Sequence, residues 1–278
     1  MSRRRIEPDA VKRELVPGQS VELLKDLHIV TRDGAVNADT LRKLKQVNHL
    51  VQLVAPAIED VLARYADPVI VDCGAGKSYL GFILYELFLR DKGRLVLVES
   101  REDLIASACE RVQRLGFTRV DVIGSSIADA TTLPERVHMV VALHACDTAT
   151  DDALALAVTH NADHVAVVPC CQAEVARQLK ERHGESSTMA VLHEHPWHRR
   201  EFGSHLTNVI RALTLEARGY SVTVTELAGW EHSLKNELII GKKVRAFGRE
   251  AQAKLGDLLK ATGVLPKLIR ALGGTSDT

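Results

Sequence analysis

From Asp67 to Val168 short β-branched runs alternate with amphipathic stretches, an order that suits a parallel sheet wrapped by helices. Strands are predicted at PVIVDC (68–73), RLVLVE (94–99), RVDVIG (119–124), HMVVALH (138–144) and HVAVVPC (164–170). Helices are predicted between and after them at 77–90, 101–115, 150–160 and 172–183. Each strand is apolar almost throughout, as strands covered on both faces are. A helix at 204–218 and strands near SVTVTELA (221–228) and ELIIGKKV (237–244) follow. Only GWEHSLKN separates those last strands, too little for a crossover, so they are expected to pair antiparallel. Ahead of the sheet, residues 8–65 look mostly helical, with apolar positions at Leu41, Leu44, Val47, Val51 and Val54. The expected division is a helical extension over 1–65, a central α/β domain over 66–245 and a basic helical tail over 246–278.

The first predicted strand runs into DCGAGKSYLG (72–81), where Gly-Lys-Ser suggests a triphosphate loop. That loop needs a glycine five residues before Gly76, and the position holds Val71. A dinucleotide fingerprint fails as well, because its third glycine would fall on Tyr79. What remains is a strand, then Asp72-x-Gly74-x-Gly76, then a helix, in which the glycines let a ligand approach the backbone at a helix start. Glu99 ends the second strand, where a carboxylate accepts hydrogen bonds from both hydroxyls of a ribose. The pair predicts a site for an adenosine-bearing ligand. S-adenosylmethionine fits best, with a nicotinamide cofactor or a degenerate site as alternatives. Ala75 and Tyr79 complete the turn, and Leu143 and His144 end the fourth strand. After the third strand, Ser126, Ile127 and Asp129 stand where an adenine ring would be held, although a plain turn would read the same.

The fourth and fifth strands lead into LHACDTATD (143–151) and PCCQ (169–172). Ligands of open α/β sheets sit beyond the carboxyl ends of the strands, which makes His144, Asp147, Cys170 and Cys171 the candidate catalytic groups. Three readings of the thiols stand side by side. Cys146, Cys170 and Cys171 could ligate a metal with His144, but adjacent cysteines lack the usual zinc spacing, and no metal is expected. One of them could be a nucleophile. Or they pack as small apolar groups. His193, His195, His198 and His205 lie in HEHPWHRREFGSH (193–205), expected as a solvated or substrate-facing loop ahead of the next helix. Trp197 and Trp230 are candidates to stack on a nucleobase or to fill core, and Lys235 and Asn236 are rim candidates.

ALHACDTATDDALALA resembles the His-x-Cys-x-x-Ala-Thr-Asp stretch of the eukaryotic tRNA acceptor-stem 2′-O-methyltransferases, and PCCQ resembles their cysteine pair. DCGAGKSYLGF and GWEHSLKNELII are similar to segments of the related methyltransferase-like group, labelled rRNA adenine dimethylase-like. The resemblance covers roughly residues 67 to 245. It implies a class I methyltransferase fold of seven strands, S-adenosylmethionine as cofactor, and RNA (tRNA or rRNA) as acceptor. In a 2′-hydroxyl transfer Asp147 or His144 would assist deprotonation. The chain departs from the tRNA enzymes where Cys171-Gln172-Ala173 replaces their Cys-Cys-His-His. It also has no Pro-Pro-Tyr clamp for adenine amino groups after the fourth strand. A methyltransferase of protein side chains or small molecules, and a cofactor-binding partner protein without turnover, are the competing functions.

Charge bears on the acceptor. The chain is neutral overall, yet residues 242–270 carry eight cations and two carboxylates, and residues 1–50 ten cations and seven carboxylates. Basic ends around an acidic centre suit a polyanion partner, and equally suit solvated terminal helices. No apolar run approaches membrane-spanning length, and MSRRRIEPDAVKREL is not backed by an apolar stretch, so a soluble protein without an export signal is expected. Five cysteines, an odd number, predict reduced thiols, a cytoplasmic setting and no disulfide-linked partner. Nothing in the sequence indicates the oligomeric state.

Overall fold

The computed structural model describes residues 14–31, 38–143, 145–169, 172–181, 189–227 and 237–273. The seven predicted strands are present: β1 (Val69–Cys73), β2 (Arg94–Glu99), β3 (Val120–Gly124), β4 (Met139–Ala142), β5 (His164–Val167), β6 (Tyr220–Glu226) and β7 (Glu237–Lys243). They form one sheet in the order β3-β2-β1-β4-β5-β7-β6. β1 pairs parallel with β2, β2 with β3, and β4 with β5. β7 lies antiparallel to β5, with Ile240 opposite Ala166. This is the seven-stranded, Rossmann-like fold of class I methyltransferases, as the strand pattern predicts.

By its contacts the chain divides into two units, Met1–Pro134 with Glu226–Asn236, and Glu135–Thr225 with Glu237–Thr278. The first holds α1 (Val21–Asp26), α2 (Ala38–Arg64), α3 (Tyr79–Leu84) and α4 (Glu102–Arg114) around β1 to β3. All five residues of β1 and the last five of β2 are buried, because helices cover both faces. α3 continues into one π turn, Tyr85–Leu89, where the sequence predicts an unbroken helix to residue 90. The buried Glu86 in that turn accepts the backbone N–H (3.0 Å) and hydroxyl (2.6 Å) of Ser20. Ser20 in turn caps α1 by accepting the Leu23 N–H. The N-terminal segment is thus tied to the sheet unit by a carboxylate 66 residues away in sequence.

The second unit holds α5 (Thr148–Thr159), α6 (Glu174–Glu181), a 3₁₀ turn (Ala190–Leu192), α7 (Pro196–Ala217), α8 (Arg249–Thr262) and α9 (Lys267–Ala271). Helix α7 begins eight residues before its predicted start, so most of the histidine-rich segment is helical and not a loop. Pro196 at the first helical position explains this: its fixed φ suits a helix start, and its missing N–H would have had no intrahelical partner. Val175 and Leu179 of α6, Leu206 and Ile210 of α7, Leu255 of α8 and Ile269 of α9 form one apolar cluster. The basic tail is therefore built into this unit. Lys267 pairs with Asp152 and Arg270 with Glu174, both at 2.6 Å, and Lys254 pairs with Glu250 at 2.7 Å, so these tail cations are matched locally.

The α6–α7 contact is set by Gly203, where an added Cβ would stand 2.9 Å from the backbone and Cβ of Ala176. Backbone atoms cannot step aside as a side-chain tip can. Gly203→Ala should destabilise by about 1–3 kcal/mol through overpacking, visible as a lower urea midpoint with an unchanged slope. An unchanged midpoint would show that the two helices are not in this register.

Candidate functional site

The turn after β1 is built from left-handed backbone. Gly74, Gly76 and Ser78 have φ of 63°, 58° and 56°, and only the first two are glycines. The amides of Gly74 and Ala75 both donate to the Val98 carbonyl of β2, at 2.9 and 3.1 Å, so the turn folds back over the neighbouring strand. Ser78 is buried, and Tyr79 rather than Lys77 opens the helix. Among the described residues a Cβ on Gly76 would meet only the Gly74 carbonyl oxygen, at 3.8 Å, so none of them crowds Gly76.

Glu99, buried at the end of β2, joins this turn to the next. One carboxylate oxygen accepts the Gly76 N–H at 2.7 Å, and the other accepts the N–H groups of Ser100 and Arg101 at 2.9 and 3.0 Å. The sequence places Glu99 at a strand end but gives no sign that it clasps Gly76, a contact made across 23 residues. Asp72, 2% exposed, accepts the Gly81 N–H at 3.2 Å. Burial pushes its carboxyl up to about 7; the Gly81 N–H works against that rise and the Glu99 charge adds to it. After β3, the Ser126 hydroxyl donates to the Asp129 carboxylate at 2.5 Å and accepts the Asp129 N–H at 3.2 Å, with Ile127 half-buried between them. Asp72, Gly74, Ala75, Gly76, Tyr79, Glu99, Ser126, Ile127 and Asp129 therefore all lie in the first unit, at or just beyond the carboxyl ends of three adjacent parallel strands.

That set fits S-adenosylmethionine. The backbone at Gly76 is uncrowded, a carboxylate able to bond vicinal hydroxyls sits beside it, and a buried carboxyl lies at the root of the turn.

The remaining candidates belong to the second unit. Leu143 is buried at the end of β4, while His144, Cys170 and Cys171 lie outside the described residues, as do Trp230, Lys235 and Asn236. Asp147 has φ 50° and ψ −120°, an uncommon backbone for a residue with a side chain. Its carboxylate accepts the N–H groups of Ala173 (2.8 Å) and Glu174 (3.3 Å) at the start of α6 and meets Arg177 at 3.4 Å. This ties the loop after β4 to the loop after β5. Cys73 is buried and Cys146 exposed, both as thiols. Among the described residues no group of three or more His, Cys, Asp or Glu is placed to hold a metal ion. Likewise no helix among them is long and apolar enough to cross a membrane.

A buried polar network behind these loops is not apparent from motifs. Arg211, 1% exposed, donates to the Asp151 carboxylate and the Asp147 carbonyl, each at 2.8 Å, and to Asn208 at 3.2 Å. Burial pushes the Asp151 carboxyl up, and the charge and hydrogen bond of Arg211 work against that. Asn208 also accepts from Gln172 and donates to Glu237. The available signal is a polar stripe, with Thr207, Asn208 and Thr214 three or four residues from Arg211, in a helix that also carries Leu206, Ile210 and Leu215.

The strand order is that of the class I methyltransferase fold. Residues 42–178, just under half of the chain, match a family described as "Methyltransferase domain". Curated relatives from Bos taurus and Homo sapiens, both named glutathione S-transferase C-terminal domain-containing protein, are 26% identical over 231 residues. The match covers 76% of this chain but 35% of theirs, so the chain spans about a third of the length of these relatives. Among solved structures, an rRNA methylase from Streptococcus thermophilus aligns with 70% of this chain and 96% of its own, at 12% identity and a TM-score of 0.48. The S-adenosylhomocysteine-bound methyltransferase PaMTH1 of Podospora anserina aligns with 85% of this chain and 94% of its own, at 13% identity and 0.49.

Proposed function

We propose that the chain is an S-adenosylmethionine-dependent methyltransferase whose acceptor is RNA. The observation that carries the cofactor reading is the glycine turn after β1 clasped by Glu99 from the end of β2. The methyltransferase-domain match over residues 42–178 supports it independently of that geometry. RNA as acceptor rests on the resemblance of residues 142–157 and 169–172 to tRNA methyltransferase segments.

When bound, the cofactor supplies a methyl group already activated on a sulfonium centre, so the protein's work is largely positioning. Glu99 would take the ribose hydroxyls, the Gly74–Gly76 backbone the amino-acid portion, and Ile127 with Ser126 and Asp129 the adenine. The buried Asp72, when ionised, would supply negative charge toward the cationic cofactor. On the acceptor side we assign Asp147 to holding the two loops together, because its carboxylate bridges from the loop after β4 to Ala173, Glu174 and Arg177 at the start of α6. His144 is then the group that would take the acceptor proton. Loss of turnover in Cys170→Ser would make that thiol a nucleophile, and retention would make it packing.

Asp72 gives the binding step a pH dependence. Its proton is held up to about pH 7 in the folded chain against 3.8 ordinarily, so ligand-free stability declines as pH rises through that window. A cationic ligand favours the ionised form, so affinity runs the other way. If only ionised Asp72 binds, the dissociation constant should tighten about tenfold from pH 6 to pH 8. Calorimetry at both pH values reads this, and Asp72→Asn should flatten the dependence. A wild-type affinity that is the same at pH 6 and pH 8 would remove Asp72 from the site.

Transfer of a tritiated methyl group from labelled cofactor to RNA, protein and metabolite fractions tests the whole reading. Label is expected in RNA and lost with Glu99→Ala. Label in protein or metabolites alone replaces the acceptor, and no label despite cofactor binding makes the chain a non-catalytic binding protein.

A further inference from the structure

We propose that the exposed first turn of α7 is a stacking platform for an unpaired nucleobase of the acceptor strand, an inference that rests on the RNA reading above. Aromatic residues are only 4% of this chain, and Phe82, Tyr85, Phe117 and Tyr220 are spent in the core. Trp197 is instead 59% exposed, more than Phe247 at 49%, and Val191 and Leu192 are exposed just ahead of it. The guanidinium of Arg200, one helical turn on, lies over one face of the Trp197 ring, its carbon 4.1 Å from the ring centre. Its Nε pairs with Glu201 at 2.9 Å, so a base would take the other face of the ring. A flat π surface with an adjoining cation is the pairing that holds a base by its face and its phosphate by charge.

The platform is held in place before any ligand arrives. Gly203 packs α7 against Ala176, and the His193 ring stacks on Phe202 at 5.9 Å and 18°. Its position along the helix links it to the acceptor side. Ser204 follows Trp197 by seven residues, hence on the same face and roughly 10 Å along the axis. The Ser204 hydroxyl donates to Gln172 at 2.6 Å, and Gln172 directly follows the Cys170-Cys171 pair. A strand reaching the loop after β5 thus has an aromatic support two turns away. A protein partner fits this turn less well. The centre of a protein interface is depleted of charge, whereas Glu194, Arg199, Arg200 and Glu201 surround the exposed tryptophan.

The chain has two tryptophans, so Trp230→Phe leaves Trp197 as sole fluorophore. Titrating that variant with an unstructured RNA 12-mer at low salt should quench Trp197. Trp197→Ala should weaken binding about tenfold, Trp197→Phe much less, and neither should alter cofactor affinity. RNA binding that is unchanged in Trp197→Ala, with no quenching, overturns the platform while the RNA reading stands. Absence of RNA binding by the wild-type chain removes both, while cofactor binding measured alone keeps the cofactor site separate from that result.

Discussion

Arg211→Ala should lower the unfolding free energy by about 3–5 kcal/mol, the largest stability loss expected of any single polar substitution among the described residues. The guanidinium is buried together with Asp151 and serves three acceptors: Asp151 of α5, Asn208 of α7 and the Asp147 carbonyl in the loop ahead of α5. Truncation leaves the Asp151 carboxylate in a dry site with no counter-charge, and burial then drives it to take up a proton. With total stabilities of about 5–15 kcal/mol, such a loss approaches unfolding in mild conditions. The double replacement Arg211→Met with Asp151→Leu separates charge from packing, because apolar substitutes for a buried pair are often neutral or stabilising. Urea denaturation should therefore rank the double variant well above Arg211→Ala. The reverse ranking would mean that the pair itself, and not the stranded carboxylate, supplies the stability. If the double variant folds but transfers methyl groups poorly, the network's role is to hold the strained Asp147 turn, with its φ of 50°.

Glu99→Ala should raise the cofactor dissociation constant about 100-fold or more. A carboxylate accepting two hydroxyls makes two charge-assisted bonds of about 1.5–3 kcal/mol each, and even the lower sum exceeds a hundredfold. The same substitution deprives the Gly76, Ser100 and Arg101 amides of their acceptor, so the turn after β1 loses its clasp as well. Glu99→Gln keeps one acceptor oxygen and should fall between. Calorimetric titrations with S-adenosylhomocysteine measure all three, and an Ala variant binding like wild type would place the ribose elsewhere.

Much of this arrangement is legible in the sequence because it is local. The buried run VIVDC, the two glycines that follow and the acid ending RLVLVE mark β1, its turn and the end of β2 within a residue or so. Strand existence follows from apolar runs bounded by turns, and the short link before β7 leaves it no room for a parallel crossover. What cannot be read is long-range. Glu86 capping α1 through Ser20, Asp147 capping α6 and Arg211 joining α7 to Asp151 are pairings across 66, 26 and 60 residues, and no periodicity announces them. The histidine-rich stretch misleads for a different reason. Its polar residues read as loop, yet Pro196 starts a helix there and the buried face begins only at Gly203 and Leu206.

The central claim is that the turn between β1 and α3, closed by Glu99, binds S-adenosylmethionine. Calorimetric titration of the full chain with S-adenosylhomocysteine at pH 8 tests it most directly. One-to-one saturable binding that collapses in Glu99→Ala is the result predicted. No heat and no thermal stabilisation with ligand up to about 1 mM, the upper end of ordinary enzyme affinities, would contradict it.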